Sequence, residues 1–201
     1  MTNTRRFPVF NEVLTLTILF FLTFGGLIWS PIQGQSPSSQ LKTAKFYFVT
    51  PTATVKTDAL RKECSRITNQ KQINRLESRI SAEQMEADSF SKDLIHTVES
   101  QFKFAEYEFI PDTSVKAFIK AHELEKESII LVRRAKTESG VDALILFNLD
   151  MQPLTRPVPY YARLSGLISF VDALFGQNLY NWRDLDTVIS KWSERLQEFS
   201  N

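Results

Sequence analysis

The sequence contains one cysteine, Cys64, and two histidines, His96 and His122, among 201 residues. A single cysteine excludes an internal disulfide and a metal cage built from several thiolates. Neither histidine has another histidine or an acidic residue four positions away, so neither predicts a metal site. We interpret Cys64 as a passive thiol and both histidines as ordinary helix residues.

Glycine is also scarce, with six in the whole chain. None of them completes G-x-x-x-x-G-K or G-x-G-x-x-G, the loops that cradle phosphates, and no G-x-S-x-G nucleophile turn occurs. The sequence therefore predicts no catalytic residue, no metal and no cofactor. We expect a protein that is not an enzyme.

A surplus of positive charge is missing as well. The chain has 24 Lys and Arg against 23 acidic residues. The charged residues of the first 40 positions are Arg5, Arg6 and Glu12, so the part beyond residue 40 contains 22 basic and 22 acidic residues. Nucleic-acid binding depends on cations that displace phosphate counterions, so we expect no nucleic-acid partner. The hydrophobic content of 43%, which includes 16 Phe, is typical of a globular domain.

A long uncharged run, "VLTLTILFFLTFGGLIW", occupies residues 13–29. Arg5 and Arg6 precede it and Trp29 ends it, as expected at the edges of a membrane span. We predict a signal anchor in residues 1–29, with its positive end in the cytoplasm. The rest of the chain would then lie outside the cytoplasm, in the periplasm, as a single-pass cell-membrane protein.

Cleavage of this segment is the alternative. Its 17 residues exceed the apolar stretch of about 7–15 in a signal peptide, and no Ala-x-Ala site follows. Retention is therefore favoured, although removal of residues 1–38 would give a secreted factor. Residues 30–43, rich in Ser, Pro and Gln, predict a flexible tether, and residues 44–201 the exported domain.

The exported part alternates between strand and helix patterns. "AKFYFVTP" and "KFAEYEFIP" predict strands that end at prolines, and a helix from about Ile73 lies between them. A helix capped by Asp112, Thr113 or Ser114 follows. We then expect a second helical piece from about Glu125 to Glu138, stopped by Gly140. Its "VRRAK" segment would be a solvated helix face or, less commonly, a docking patch for an acidic partner.

The last third of the chain begins with "VDALILFNL", an apolar run typical of a strand inside a sheet. The loop 151–161 carries three prolines, and "DLDTVISKWSERLQEF" predicts a final helix. Alternation of this kind favours an α/β or α+β sheet of about four to five strands covered by helices.

The stretch "GLISFVDALFGQNLYNW", within residues 164–182, permits two interpretations. The spacing of its apolar residues fits a helix that stops at Gly176. A hairpin that turns near Asp172 and Gly176 fits as well. Either interpretation gives Asp172 a structural task.

Asp150 is the best candidate for a functional acid, because it ends a buried strand and open α/β sheets bind ligands at the carboxyl ends of strands. Tyr160 and Tyr161 would form the walls of a small-ligand or enzyme site beside the loop 151–161. A turn-forming role for Asp150 is the simpler alternative.

The domain resembles the TolB amino-terminal-domain-like group of bacterial envelope proteins, which includes the curli secretion lipoprotein and the activators of penicillin-binding proteins. The resemblance rests on "FYFVTP", "LIHTVESQFKFAEYEFIPD", "AKTESGVDALILFNL" and "VDALFGQNLY". It covers about residues 44–184. It implies a mixed sheet with helices packed on it, no catalytic residues, and binding to other envelope proteins. The long polar insert 52–88 departs from the group's pattern.

The function expected from these observations is that of a membrane-tethered, extracytoplasmic protein-interaction domain. It would serve as an accessory subunit of an envelope assembly or transport complex.

Overall fold

A single five-stranded sheet organises the part of the chain that the structure, a computed structural model, describes: residues 37–164 and 185–201. These residues belong to one compact unit, Ser36–Asn201. The strands are β1 (Lys45–Thr50), β2 (Tyr107–Pro111), β3 (Ile129–Lys136), β4 (Asp142–Phe147) and β5 (Tyr161–Arg163).

The strand order is β2-β1-β3-β4-β5. β1 runs parallel to both β2 and β3, whereas β4 runs antiparallel to both of its neighbours. The sheet is therefore mixed, and the carboxyl ends of β1, β2 and β3 share one edge. The predicted mixed sheet of four to five strands in the α/β class is confirmed.

Five α-helices accompany the sheet in the described residues. They are α1 (Pro37–Thr43), α2 (Thr54–Cys64), α3 (Gln70–Gln101), α4 (Val115–Ala121) and α5 (Leu185–Ser200). Helices α2 and α3 lie between the parallel strands β1 and β2, and α4 lies between β2 and β3, as crossover connections of parallel strands require.

The larger core lies between one sheet face and helices α3 and α5. Side chains at alternate positions of the central strands point into it because strand side chains alternate between faces. Its fully buried members include Phe46, Phe48, Val132, Leu144, Leu146, Phe90, Leu94, Val98, Ile189, Trp192 and Leu196. Burial of a side chain of this size contributes about 1.5–3 kcal/mol.

The opposite sheet face is covered in part by α4. Tyr47, Val49 and Leu131 pack there with Val115, and the Tyr47 ring lies 4.5 Å from Phe118. Helices thus pack on both faces of the sheet, which explains the near-continuous apolar runs of β1 and β4.

Several predicted elements are confirmed. β1 and β2 end where Pro51 and Pro111 predicted, and α5 buries the predicted face around Trp192. β4 is buried throughout its middle and lies between β3 and β5. The helix expected from about Ile73 is α3, which begins at Gln70 and runs for 32 residues.

The helical piece predicted from Glu125 to Glu138 is wrong. Residues Ile129–Lys136 form β3, because its apolar first half pairs with β1 on one side and residues 131–136 pair with β4 on the other. "VRRAK" is thus no helix face. Gly140, with φ +80°, lies in the turn that joins β3 to β4 rather than at a helix end.

Two smaller expectations also differ from the structure. Asp112–Ser114 forms a 3₁₀ turn, and no side chain there caps α4 by a hydrogen bond. The last part of the expected tether 30–43 forms α1, whose Leu41 is buried in the larger core.

Two of the predictions concern segments outside the described residues. They are the membrane segment 13–29 and the stretch 166–182 with its helix and hairpin alternatives. Within residues 37–164 and 185–201, no helix combines the length and apolar character that a membrane crossing needs.

Candidate functional site

The candidate site is a groove at the carboxyl edge of the parallel strands, where β1 and β3 stop pairing and separate. The β1–β3 pairing runs from Lys45 opposite Ile129 to Phe48 opposite Val132 and then stops. β1 continues beside β2 up to Thr50, while β3 continues beside β4 up to Lys136. In open α/β sheets, ligands bind at such a separation of neighbouring strands.

Helices α2 and α3 close the other side of this groove, which we call the end groove. Its volume is about 610 Å³, and its walls are Val49, Pro51, Ala53, Val55, Lys56, Ala59, Glu83, Glu86, Ala87, Asp112, Arg133, Arg134, Ala135, Lys136 and Asp142. These walls combine small apolar side chains with charged groups of both signs. No hydroxyl, thiol or imidazole occurs among these walls.

Arg134 holds the sheet and the helices together at the end groove. Its guanidinium donates to both carboxylate oxygens of Asp142, at 2.8–3.2 Å, and to Glu86 on α3 at 3.2 Å. It also lies 4.8 Å from the centre of the Phe90 ring. Burial alone lowers the pKa of Arg134, but the hydrogen bonds and charge of Asp142 and Glu86 outweigh burial and raise that pKa.

The loop between β1 and α2 forms the groove's far end. Ala53 has φ 56°, a left-handed conformation that few residues other than glycine adopt. The Thr52 hydroxyl donates to Asp112 at 2.6 Å, and Ser91 donates to the carbonyl of Pro51 at 2.8 Å. These bonds fix the loop to the 3₁₀ turn after β2 and to α3, on either side of the left-handed Ala53.

Two of the wall residues of the end groove are cations without an ion pair in the described fold. Arg133 and Lys136 are exposed, and neither forms an ion pair within the described part of the chain. Arg133 points to the opposite sheet face from Arg134 because successive strand residues alternate.

A helical arm continues from the groove. We define the arm as residues 54–86, which comprise α2, the connection 65–69 and the first half of α3. The 32 residues of α3 span about 48 Å, whereas the eight of β3 span about 27 Å. The buried residues of α3 all lie from Ala87 onward, so its first half extends beyond the sheet beside α2.

The predicted site residue Asp150 lies at the other edge of the sheet. β4 runs antiparallel to β3, so the carboxyl end of β4 is next to the amino ends of β1 and β3. The argument from parallel strands therefore does not apply to Asp150. Its exposed carboxylate accepts a hydrogen bond from Lys126 at 2.7 Å, and this bond and charge raise the pKa of Lys126.

Tyr160 and Tyr161 are adjacent, with ring centres 5.0 Å apart. Together with Ile145, Pro153 and Arg163 they contribute to the walls of a second groove of about 710 Å³ between the loop 151–161 and the β3–β4 turn. Asp150 is not a wall residue of this groove. The structure thus brings the two tyrosines together and separates them from Asp150.

The remaining candidates have structural surroundings. His122 ends α4, where its ring stacks on Phe118 at 4.1 Å and its Nδ1 lies 2.9 Å from the Phe118 carbonyl oxygen. His96 is exposed on α3, and Cys64 is partly exposed in a hollow between α2 and α3. In the described residues, no cluster of three His, Cys, Asp or Glu side chains could hold a metal ion.

Comparison with known proteins gave no match to a protein family, to a curated protein or to a solved structure. The site is therefore interpreted from its own geometry. Sequence reasoning missed the end groove, since it arises from the pairing of β1 with β3, strands that are far apart in the chain. One signal was readable: Pro51 ends a parallel strand, which is where the groove begins.

Proposed function

We propose that the chain is a membrane-tethered, extracytoplasmic protein-interaction domain, and that it binds its partner at the carboxyl edge of the sheet. The observation that carries the proposal is the pairing of an open, apolar groove with a long helical arm at that same edge. Interfaces between proteins combine apolar and charged side chains, and the walls of this groove contain both.

The arm supports a role in binding because most of it lies outside the buried cores: Thr57 and Leu60 of α2 are its buried residues. Burial along α3 begins at Ala87, and its first member of the larger core is Phe90, so residues 70–86 of α3 add no buried side chain. Val55, a wall residue of the end groove, is 79% exposed, and Met85, in the hollow between α2 and α3, is 70% exposed. Large apolar side chains on an exposed helical surface are typical of protein contacts when they border a groove.

The membrane part of the proposal rests on the sequence of residues 13–29 and on Arg5 and Arg6. The positive side of such a segment stays in the cytoplasm, which leaves the described domain outside. Protease added to intact cells after opening of the outer envelope should digest the domain. Resistance of the domain until the cell membrane is lysed would contradict this orientation. Intact mass of the purified protein distinguishes a retained anchor from a secreted, cleaved form.

The resemblance to TolB-like envelope proteins supports the same proposal, because it implies a mixed sheet with helices and binding to envelope proteins. We therefore propose an accessory subunit of an envelope assembly or transport complex.

Co-purification of the full chain, extracted from membranes in mild detergent, tests the proposal. We expect a stable partner that the Val55→Asp variant loses, because a carboxylate at the groove wall would disturb an apolar contact. Leu124→Asp is the matched control, since Leu124 is fully exposed and is not a wall residue of the end groove. A partnerless species for the wild type, or equal loss in both variants, would refute the proposal.

A second candidate function is small-ligand binding in the groove beside Tyr160 and Tyr161. Its volume of about 710 Å³ and its two adjacent rings favour a flat ligand. Shifts of tyrosine NMR signals on addition of a ligand, absent from the Tyr161→Ala variant, would support it. A ligand that binds that variant with unchanged affinity would exclude this groove.

A further inference from the structure

The tip of the arm concentrates positive charge in a chain that is nearly neutral overall. Residues 61–79 contain six basic and two acidic side chains, against a net charge of +1 for all 201 residues. The basic side chains are Arg61, Lys62, Arg66, Lys71, Arg75 and Arg79, and all are exposed. Such a patch attracts an anionic partner over a distance of about one Debye length, about 8–10 Å.

Three of these cations form a row along α3. Lys71, Arg75 and Arg79 recur every fourth residue, so they lie above one another on one helix face. Like charges at this spacing destabilise a helix. Lys71 is also in the first turn, where the helix dipole disfavours a cation, and that turn holds no acidic residue. We call Lys71, Arg75 and Arg79 the basic row.

Neighbouring charges show that such repulsion is relieved elsewhere in the fold. At the base of the arm, Lys56 pairs with Glu83. On α4, the similarly spaced Lys116 and Lys120 have Asp112 four residues before and Glu123 three residues after them. Lys71 and Arg75 have no acidic residue three or four positions away.

The basic row forms no ion pair with any described residue. The repulsion between Lys71 and Arg75 is therefore uncompensated within the described residues, whereas Arg79 has Glu83 four residues after it. A ligand that supplies negative charge would provide that compensation.

We propose that the basic row binds an acidic surface of a partner protein; this inference rests on the proposed function and adds the chemistry of the partner. Two of its three members are arginines, whose planar guanidinium binds carboxylates through two parallel hydrogen bonds. The arm places these groups beyond the sheet, where a flat protein face can reach all three.

The composition of the arm favours a protein over a lipid surface. Helices that lie on membranes combine basic residues with an exposed apolar face that contains Trp, Phe or Leu. Residues 54–86 contain no aromatic residue, and Ile73, Leu76 and Ile80 of α3 are partly buried.

The test compares two triple variants of the full chain with the same net charge. One replaces the basic row by Lys71→Gln, Arg75→Gln and Arg79→Gln. The matched control carries Lys92→Gln, Lys116→Gln and Lys120→Gln, three exposed cations outside the arm. A fluorescent ten-residue oligoglutamate is the probe, and its anisotropy reports binding. We expect at least tenfold weaker binding for the row variant and less than twofold for the control. Equal losses would overturn the proposal.

Thermal unfolding separates binding from a structural role. Removal of like-charge repulsion should leave the Tm of the row variant unchanged or raise it. A row variant with a lowered Tm and lost binding would show that the cations stabilise the fold, which would overturn the proposal. The Arg75→Lys and Arg79→Lys double variant keeps the charge, so a severalfold loss of affinity in it would support bidentate recognition, and unchanged affinity would overturn that part of the proposal.

Vesicles distinguish the lipid alternative. We expect the ratio of binding to phosphatidylglycerol vesicles over binding to phosphatidylcholine vesicles to be the same for the row variant and the wild type. The row variant could instead lose its preference for phosphatidylglycerol vesicles and keep its binding of oligoglutamate. That result would overturn the proposal and identify a membrane surface as the ligand of the basic row.

Co-purification separates this inference from the proposed function. If the row variant retains the envelope partner at the wild-type level, the inference about charge fails and the proposed function stands. If the wild type has no partner, the proposed function itself fails.

Discussion

Replacement of Arg134 by methionine should destabilise the protein, although the neighbouring replacement Arg133→Met should not. Arg134 donates four hydrogen bonds to Asp142 and Glu86, and 29% of its side chain is exposed. Exposed ion pairs contribute about 0.2–1 kcal/mol, while breaking a buried pair costs about 3–5 kcal/mol. The intermediate burial of Arg134 places the expected loss at about 2 kcal/mol.

Urea unfolding of the full chain measures this loss. With a denaturant slope of about 2 kcal/mol per molar for a domain of this size, the midpoint should fall by about 1 M in Arg134→Met. Arg133→Met should remain within about 0.5 kcal/mol of the wild type, because Arg133 is exposed on the other sheet face and forms no described ion pair.

A double variant locates the cause. Asp142→Asn added to Arg134→Met should cost less than the sum of the single changes, with a coupling of about 1 kcal/mol. Equal effects of Arg133→Met and Arg134→Met would refute both the network and the alternation of β3.

Three further predictions concern the turn and the core, and all are measured by urea unfolding. Gly140→Ala should lower the free energy of unfolding by about 1 kcal/mol, because φ is +80° and no atom within 4 Å of the new Cβ adds a steric effect. Gly140→Asn should cost less, and a larger cost for Asn than for Ala would contradict the backbone explanation. Trp192→Phe should lose about 1–3 kcal/mol, since the indole Nε1 of the buried Trp192 donates to the carbonyl of Pro159 at 2.7 Å; an unchanged midpoint would show that this bond contributes nothing. Phe48→Ala should cost about 3–5 kcal/mol because Phe48 is fully buried in the larger core, and a loss below 1 kcal/mol would contradict that packing.

The sequence predicted those elements whose pattern is local. Prolines mark the ends of β1 and β2, and the spacing of Leu185, Ile189 and Trp192 predicts α5 from its apolar face alone. β4 was recognisable because a strand covered on both faces needs apolar residues throughout.

β3 could not be predicted in the same way. Its second half, Arg133–Arg134–Ala135–Lys136, has residues that suit a helix, and Gly140 after it resembles a helix stop. The pairing with β1 and β4 decides the conformation of this segment, and such pairing depends on strands that are distant in the chain.

The end groove could not be predicted from the sequence for the same reason. A helix over residues 129–136 would leave no separation of β1 from β3 and would not place Arg134 between Asp142 and Glu86. The sequence also does not show that β4 runs antiparallel to β3. For this reason it predicts Asp150 at the wrong edge of the sheet. The basic row, in contrast, can be read from the sequence alone, because its three cations recur every fourth residue.

Photo-crosslinking from two positions on the same helix tests the central claim most directly. Ser78 and Ser100 are both exposed on α3, about 33 Å apart along its axis, with Ser78 on the arm and Ser100 beside the body of the domain. In intact cells that make the full chain, a crosslinker at residue 78 should give a discrete adduct with an acidic envelope protein. That adduct should disappear in the row variant, and residue 100 should not give it. Adducts of equal yield from both positions, or none from residue 78, would contradict the claim that the arm is the surface that meets the partner.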